Sequence, residues 1–155
     1  KQKEYFIERF GLETNKVARV FTGVVEEIFY LDPNISKRAK FTAVFRGKFL
    51  PEAGVRYVIQ AAEILKDEGI DFLMIGNGYL ENEIEKQLKK SKARNIEWVR
   101  ENLPRERLRN LMLECHVSLG QFENHDRLNR TIPHKAFESL AMSLPYITGR
   151  AEGVQ

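Results

Sequence analysis

The chain has 155 residues, of which 43% are hydrophobic and 30% are charged, and its net charge of +3 arises from 25 basic and 22 acidic side chains. This length fits one domain with a substantial core, and this composition excludes a disordered or fibrous protein. The near balance of charges gives no reason to expect an obligate polyanionic partner such as DNA, although a local basic patch stays open.

Two features bear on the compartment. No apolar run approaches the roughly 20 residues that cross a bilayer, and the first eleven residues form a charged amphipathic segment rather than a signal peptide. Cys115 is the one cysteine, which excludes an internal disulfide and suits a reducing compartment. Its apolar neighbours indicate a small core residue rather than a reactive thiol. We therefore expect a cytoplasmic protein.

The amino-terminal part predicts a helix, a strand and a connection. The chain begins inside a helical pattern, KQKEYFIERF, and ends just after a strand-like PYIT, so we expect a fragment of a longer protein. The β-rich run VARVFTG (17–23) predicts a first strand that stops at glycine. The next stretch, 26–35, is a connection that Asp32 and Pro33 punctuate.

From residue 41 onward, predicted strands and helices alternate. The strands are 41–47, 71–76, 95–99, 115–120 and 145–149, and the helices are 55–69, 79–92, 104–114 and roughly 133–143. Because each parallel crossover needs a helix, this order predicts an α/β, Rossmann-like, doubly wound parallel sheet with helices on both faces. Ligands bind such sheets at the carboxyl ends of the strands, which are followed here by loops 46–54, 76–79, 99–104 and 120–133.

The loop RGKFLPEAG (46–54) and the next glycine pair are candidates for phosphate binding. Gly47 lets a phosphate approach backbone N–H groups, and Lys48 adds a full positive charge. The loop is neither a Walker A loop nor a clean dinucleotide fingerprint, so an ordinary turn is the alternative. Gly76 and Gly78 allow tight packing and positive φ, and they also bring backbone amides to a ligand.

The last predicted helix carries an acid whose place needs a reason. It opens with Pro133 and sets Glu138 at the flank of an apolar stripe, one turn beyond Lys135. Glu138 either complements the helix dipole, or it accepts ribose hydroxyl protons while the helix amides and Lys135 face a phosphate. The preceding loop holds His125 and Asp126, but no second His or Cys stands at ligand spacing, so we expect no metal site.

Two charged segments have simple surface interpretations. In the predicted helix 79–92, acidic residues come first and lysines last, which complements the helix dipole. Arg105, Arg107 and Arg109 share one short helix. They leave a nucleic-acid surface as an alternative, but exposed arginines at this density serve solubility more often, so we expect no nucleic-acid partner.

Five stretches of the chain, taken in order, carry a family resemblance. They are TGVVEEIFYLDP, VFRGKFLPEAGV, FLMIGNGYLENEIEK, NIEWVRENLPRERLRNLMLECHVSLG and IPHKAFESLAMSLPYIT. Together they resemble the carboxyl-terminal half of GT-B glycosyltransferases of the glycogen-synthase-like glycosyltransferase family 4, over nearly the whole chain. The resemblance implies one nucleotide-sugar donor-binding domain, 1–155, in which residues 1–16 form the linker helix from an amino-terminal acceptor domain.

The resemblance also assigns roles by position. Gly47 and Lys48 fall on the family's glycine and arginine, so Lys48 is the expected catalytic cation at the donor diphosphate. Glu138 matches the glutamate that binds the donor ribose. The family's second basic residue is replaced by Ala53, and its first glutamate by Arg130.

The remaining expected substrate contacts come from the other loops and from the start of the last helix. They are Gly76, Gly78, Arg100, Arg130, Thr131, Ile132 and Lys135. Arg100 belongs, with Val99 and Leu103, to the loop that usually holds the base in this family. Lys135 and Arg130 are candidates for the cationic charge that Ala53 lacks.

The implied reaction is transfer of a sugar, a hexose, from a nucleoside-diphosphate sugar to a glycan, lipid or small molecule. The resemblance implies a retaining, metal-independent enzyme without a cofactor, in which cations and helix amino termini stabilise the leaving diphosphate. This chain alone would bind donor and transfer little, and the full-length protein would associate peripherally with membranes. The alternative is a non-catalytic Rossmann-like module that binds a nucleotide or another protein.

Overall fold

The computed structural model describes residues 2–20, 22–126, 128–129 and 131–150. The helices are α1 (Gln2–Phe10), α2 (Val55–Ile64), α3 (Glu81–Lys90), α4 (Arg105–Leu113) and α5 (His134–Ala141). The strands are β1 (Phe41–Arg46), β2 (Ile70–Ile75), β3 (Ile96–Val99), β4 (Val117–Leu119) and β5 (Tyr146–Ile147). Two short 3-10 helices, Thr14–Lys16 and Pro51–Ala53, lie in the connections.

The strands form one parallel sheet in the order β3-β2-β1-β4-β5. The chain builds outward from β1 to β3, then crosses back to place β4 and β5 on the other side of β1. Right-handed crossovers therefore put α2 and α3 on one face of the sheet and α4 and α5 on the other. The predicted doubly wound, Rossmann-like sheet is confirmed, and β1 and β4 flank its topological switch point.

A separate apolar core covers each face of the sheet. Successive strand residues point to opposite faces, so neighbouring positions of β1 serve different cores. Phe45 packs with Val58 of α2 and Met74 of β2 on one face. Val44 packs with Leu73 of β2 and with Met112 of α4 on the other face. The central strands are thus buried on both faces, and the carboxyl ends of the strands form the edge at which such sheets bind ligands.

The last helix is tied to the sheet by a buried polar contact. Pro133 precedes its first residue, and the ring of proline sets a backbone angle that suits this position. The Ser139 hydroxyl lies 2.9 Å from the Ser118 hydroxyl of β4, and both side chains are fully buried. This contact fixes α5 against the strand next to β1, so the start of the helix faces the carboxyl end of β1.

The segment before β1 is loosely packed. The helix α1 buries none of its residues. The strand predicted over 17–23 is wrong, because the described residues of that run, 17–20 and 22–23, form no strand. Val20 is 86% exposed. The β-rich composition of this run has no neighbouring strand to pair with and no core to cover.

Three smaller predictions have clear outcomes. The α-helical part of 55–69 ends at Ile64, and turns lead from there to Gly69, whose φ is +70°. Cys115 is fully buried, and burial raises the pKa of its thiol to about 12, as a core residue requires. Among the residues that the structure describes, no helix is long and apolar enough to cross a membrane.

Candidate functional site

Three strands end at the same level and bring their loops together. The parallel register pairs Arg46 of β1 with Ile75 of β2, and Ile75 with Val99 of β3. The loops that start after these residues, 46–54, 76–79 and 99–104, therefore meet at one edge of the sheet. This is the carboxyl edge that the strand-helix alternation predicted as the binding edge.

Glycines allow the first two loops to pack backbone against backbone. A Cβ placed on Gly76 would lie 2.0 Å from the Gly47 carbonyl oxygen, and one on Gly78 would lie 2.8 Å from the Phe49 nitrogen. The amide of Gly47 donates to the Ile75 carbonyl at 3.0 Å, and that of Gly76 donates to the Val99 carbonyl at 2.8 Å. These two amides are therefore engaged within the protein, and the glycines serve close approach rather than donation to a phosphate.

A cleft of about 180 Å³ opens between these loops. We call it the β1–β3 cleft, and its lining residues include Gly47, Lys48, Asn77, Asn102, Leu103 and Leu108. The Lys48 ammonium donates to the Asn77 side-chain oxygen at 2.9 Å and to that of Asn102 at 3.4 Å. Both partners are neutral, so the positive charge of Lys48 is oriented by hydrogen bonds and is not neutralised by them.

The start of α5 brings a second lysine to Gly47. The Lys135 ammonium donates to the Arg46 carbonyl at 3.1 Å and lies 3.6 Å from where a Cβ on Gly47 would stand. It also lies 4.7 Å from the centroid of the Phe45 ring. Burial, aided by the charge of Arg46, lowers the pKa of Lys135 to about 7. This lysine forms no ion pair with an acid among the described residues, and an anion bound beside it would favour its ammonium form.

Sequence reasoning missed Arg46, which forms an ion pair with Glu138. The two side chains are only 14% and 15% exposed, and one joins the end of β1 to the middle of α5. A signal for Arg46 was present in FTAVFR, since a single charged residue ended a strand of otherwise uncharged residues. Glu138 therefore has a cationic partner already, beyond the helix dipole that the sequence offered.

Ala53 explains how the loop does without the family's second basic residue. It is only 3% exposed and belongs to the core on the α2 face. Its carbonyl accepts a hydrogen bond from the Phe122 amide at 3.3 Å. The position is thus filled by apolar packing, while the Lys135 ammonium approaches the same loop at Gly47.

The remaining predicted residues are not gathered at the β1–β3 cleft. The Arg100 guanidinium lies 4.1 Å from the Trp98 ring centroid and 3.5 Å from a carboxylate oxygen of Glu85 on α3. Thr131 lines a smaller cleft beyond β4 and β5. Ile132, the next residue in the chain, is partly buried. Arg130 lies outside the described residues.

Two alternatives from the sequence meet specific observations. Arg109 is 9% exposed and its guanidinium lies 4.4 Å from the Tyr30 ring centroid, so the three arginines of α4 do not form one exposed basic surface. Among the described residues, no group of three or more His, Cys, Asp or Glu side chains is placed to hold a metal ion.

The family of the chain follows from a sequence comparison. Residues 30–155 match the family described as Glycosyl transferases group 1. The chain belongs to this family. The resemblance expected from the five sequence stretches is therefore confirmed for the group 1 glycosyltransferases. No curated protein matches the chain in sequence.

Solved structures of group 1 and related glycosyltransferases share the fold. HepE from Anabaena, solved with UDP-glucose, is 14% identical over 98% of this chain and 43% of its own, with a TM-score of 0.78. Sucrose-phosphate synthase from Thermosynechococcus elongatus is 16% identical over 99% and 40%, with a TM-score of 0.72.

A third neighbour is itself a carboxyl-terminal domain. That domain of the group 1 protein LpcC from Francisella tularensis is 16% identical over 81% of this chain and 70% of its own, with a TM-score of 0.64. These likenesses establish a GT-B carboxyl-terminal domain fold. The chain spans 43% of HepE and 40% of the sucrose-phosphate synthase.

Proposed function

We propose that this chain is the donor-binding half of a glycosyltransferase that moves a sugar from a nucleoside-diphosphate sugar to an acceptor held outside this chain. One observation carries the proposal. Lys48 follows Gly47 in the loop, the Lys135 ammonium approaches Gly47 from the start of α5, and neither lysine forms an ion pair with an acid among the described residues. Two such cations beside a helix amino terminus suit the charge of a diphosphate.

The chemistry of the reaction gives these cations their role. Transfer breaks the bond between the anomeric carbon and a phosphate oxygen, so negative charge builds up on the leaving diphosphate. Fixed positive charge placed where that charge develops lowers the barrier. We assign this role to Lys48 as the catalytic cation and to Lys135 as its partner. Retention of configuration, independence from metals and transfer of a hexose belong to the same proposal through the family resemblance.

The nucleoside is placed by the same reasoning. Glu138 is the proposed acceptor for ribose hydroxyl protons, and the base is proposed to lie against Leu103 and Leu108 of the β1–β3 cleft. Arg100, whose guanidinium lies 3.5 Å from a carboxylate oxygen of Glu85, stays a proposed contact of the base. Gly78, Arg130, Thr131 and Ile132 stay proposed substrate contacts, whereas Gly76, whose amide donates to the Val99 carbonyl, is proposed to frame the cleft by close packing.

Calorimetric titration tests the diphosphate site. HepE, a neighbour solved with UDP-glucose, makes uridine nucleotides the first probes, followed by GDP and ADP. We expect UDP to bind at least about tenfold more tightly than UMP, and Lys48→Ala and Lys135→Ala each to remove about tenfold of the UDP affinity. Lys40→Ala is the matched control, because Lys40 is exposed just before β1, at the opposite edge of the sheet. Equal binding of UDP and UMP would contradict the proposal.

A second candidate function has one observation in its favour. The buried Ala53 stands where the family carries a basic residue, which fits a domain that binds a nucleotide without catalysing transfer. Both functions predict UDP binding. They separate when UDP-sugars are incubated with the full-length protein and release of UDP is followed, since the non-catalytic module releases none.

A further inference from the structure

Arg46 is a buried charge that the proposed function leaves without a role. It is the last residue of β1, and its side chain is 14% exposed. It also lines the β1–β3 cleft together with Gly47 and Lys48. A guanidinium taken this far out of water costs several kcal/mol unless it is paired, so its placement calls for a function or a partner.

The contacts of Arg46 join the first strand to the last helix at two points. Its guanidinium forms the ion pair with Glu138, and its carbonyl accepts the hydrogen bond from the Lys135 ammonium at 3.1 Å. The Phe29 ring, whose centroid lies 5.9 Å from the guanidinium carbon, packs on the same group. The residue before Gly47 thereby holds both α5 side chains that the proposed function uses.

The ion pair holds the Glu138 carboxylate in place. The Arg46 guanidinium engages one carboxylate oxygen, Oε2, and the two side chains are only 14% and 15% exposed. A carboxylate has two acceptor oxygens, so the second, Oε1, is the one that we expect to receive hydroxyl protons.

We propose that Arg46 is a positioning residue for the donor ribose: its ion pair fixes the Glu138 carboxylate so that this carboxylate accepts the ribose hydroxyls. This inference rests on the proposed function, because Arg46 is assigned to orient Glu138, the residue that the proposed function assigns to the ribose. Arg46 also borders the cleft directly, and a contact from its guanidinium to the diphosphate is the competing role that the test separates.

The test compares two discrimination ratios in calorimetric titrations of the whole chain. The ribose ratio is the affinity for UDP divided by that for 2′,3′-dideoxy-UDP, and the phosphate ratio is the affinity for UDP divided by that for UMP. In the wild type we expect a ribose ratio of about ten, as for hydrogen bonds to a charged acceptor. Arg46→Met is expected to lower the ribose ratio to about one and to leave the phosphate ratio unchanged.

Matched variants keep the test decisive. Glu138→Gln is expected to reduce the ribose ratio as Arg46→Met does, while Lys48→Ala reduces the phosphate ratio and preserves the ribose ratio. Arg46→Gln, which is neutral but keeps a hydrogen-bond donor, replaces Arg46→Met if thermal unfolding shows that the methionine variant is not folded, and its ribose ratio is also expected to fall to about one.

Distinct outcomes overturn the inference and the proposed function. A folded Arg46 variant with the wild-type ribose ratio overturns the inference, and so does a variant that loses the phosphate ratio alone, which would assign Arg46 to the diphosphate. A wild type with no ribose discrimination but a clear phosphate ratio overturns the inference and leaves the diphosphate site standing. A wild type with neither ratio overturns the proposed function itself.

Discussion

The two walls of the candidate site are built by different physics. On the wall formed by the loops after β1 and β2, glycines replace side chains, and backbone groups satisfy one another across Gly47 and Gly76. On the wall formed by α5, the contacts are charges taken out of water, namely Arg46, Lys135 and Glu138. Steric overlap is what would disrupt the first wall, and an unpaired charge is what would disrupt the second.

This difference indicates which wall changes when a ligand binds. Backbone packing at van der Waals contact has one arrangement, and Lys48 on that wall is already held by two neutral asparagines. The α5 wall holds the Arg46–Glu138 pair and Lys135, whose pKa of about 7 would rise beside an incoming diphosphate. We therefore expect the glycine wall to act as a rigid frame and the α5 wall to carry the response to ligand and to pH.

The largest effect on stability is expected from Gly76→Ala, which disrupts the backbone packing of the glycine wall. The new methyl group would stand 2.0 Å from the Gly47 carbonyl oxygen, on a residue whose φ is +131°. Backbone must move to accept it, so we expect the free energy of unfolding to fall by about 4 kcal/mol, measured by urea denaturation.

Gly69→Ala is the matched control for that change. Gly69 also has a positive φ, +70°, but a Cβ there would meet nothing within 4 Å. Gly69→Ala therefore places a Cβ in an unfavourable backbone conformation without steric overlap, and we expect it to lower the free energy of unfolding by only about 1 kcal/mol. Equal destabilisation by the two variants would mean that the loops do not pack as tightly as the distances state.

Glu138→Leu attacks the other wall and is expected to cost about 2 kcal/mol of unfolding free energy, because it leaves the guanidinium of Arg46 buried without a partner. Adding Arg46→Met removes that charge as well, so the double variant should be more stable than Glu138→Leu alone. Thermal and urea unfolding of both variants measure this. If the two losses simply add, the pair is not coupled and the charged wall is an ordinary surface.

The third expected effect is a pH dependence of binding confined to the charged wall. Lys135 has a pKa of about 7 in the free site, and a bound diphosphate favours its ammonium form and so raises that pKa. Binding then takes up a proton, so UDP affinity should fall by up to about tenfold per pH unit as pH rises above 7.

Titration of UDP binding between pH 8 and 9 checks this sign, because the terminal phosphate, whose second pKa is about 6, is almost fully ionised in that range. Lys135→Arg keeps the charge at every pH and should flatten the profile, whereas Lys48→Ala should weaken binding and preserve the slope. A slope of the same size in Lys135→Arg would assign the titration to another group.

The smallest expected effect comes from a residue outside both walls. Ser143, just after α5, has a φ of +54°, a conformation that favours glycine. Ser143→Gly should raise the free energy of unfolding by about 1 kcal/mol and leave UDP affinity as it is. A gain in affinity would show that the α5 wall is held under strain from its far end.

Much of the fold was predictable from the sequence, because periodicity reports which residues face a core. Val55, Val58, Ile59 and Ala62 are all buried in α2, at the spacing that predicted the helix. The strand predicted over 17–23 was wrong because β-rich composition reports only a preference, whereas strand formation also needs a partner strand.

The candidate site was less predictable, since its contacts join residues far apart in the chain. The pairing of Arg46 with Glu138 crosses from the first strand to the last helix, and no local pattern encodes it. The glycines were recognised, but whether their amides face a ligand or a neighbouring strand depends on the sheet register, which the sequence does not display.

A crystal structure of the chain soaked with UDP would show whether a diphosphate lies between the Gly47–Lys48 turn and the start of α5. We expect phosphate oxygens within hydrogen-bond distance of both the Lys48 and the Lys135 ammonium groups, with the ribose beside Glu138. UDP bound at another edge of the sheet, with the Lys135 ammonium still on the Arg46 carbonyl and no phosphate near it, would rule out this diphosphate site.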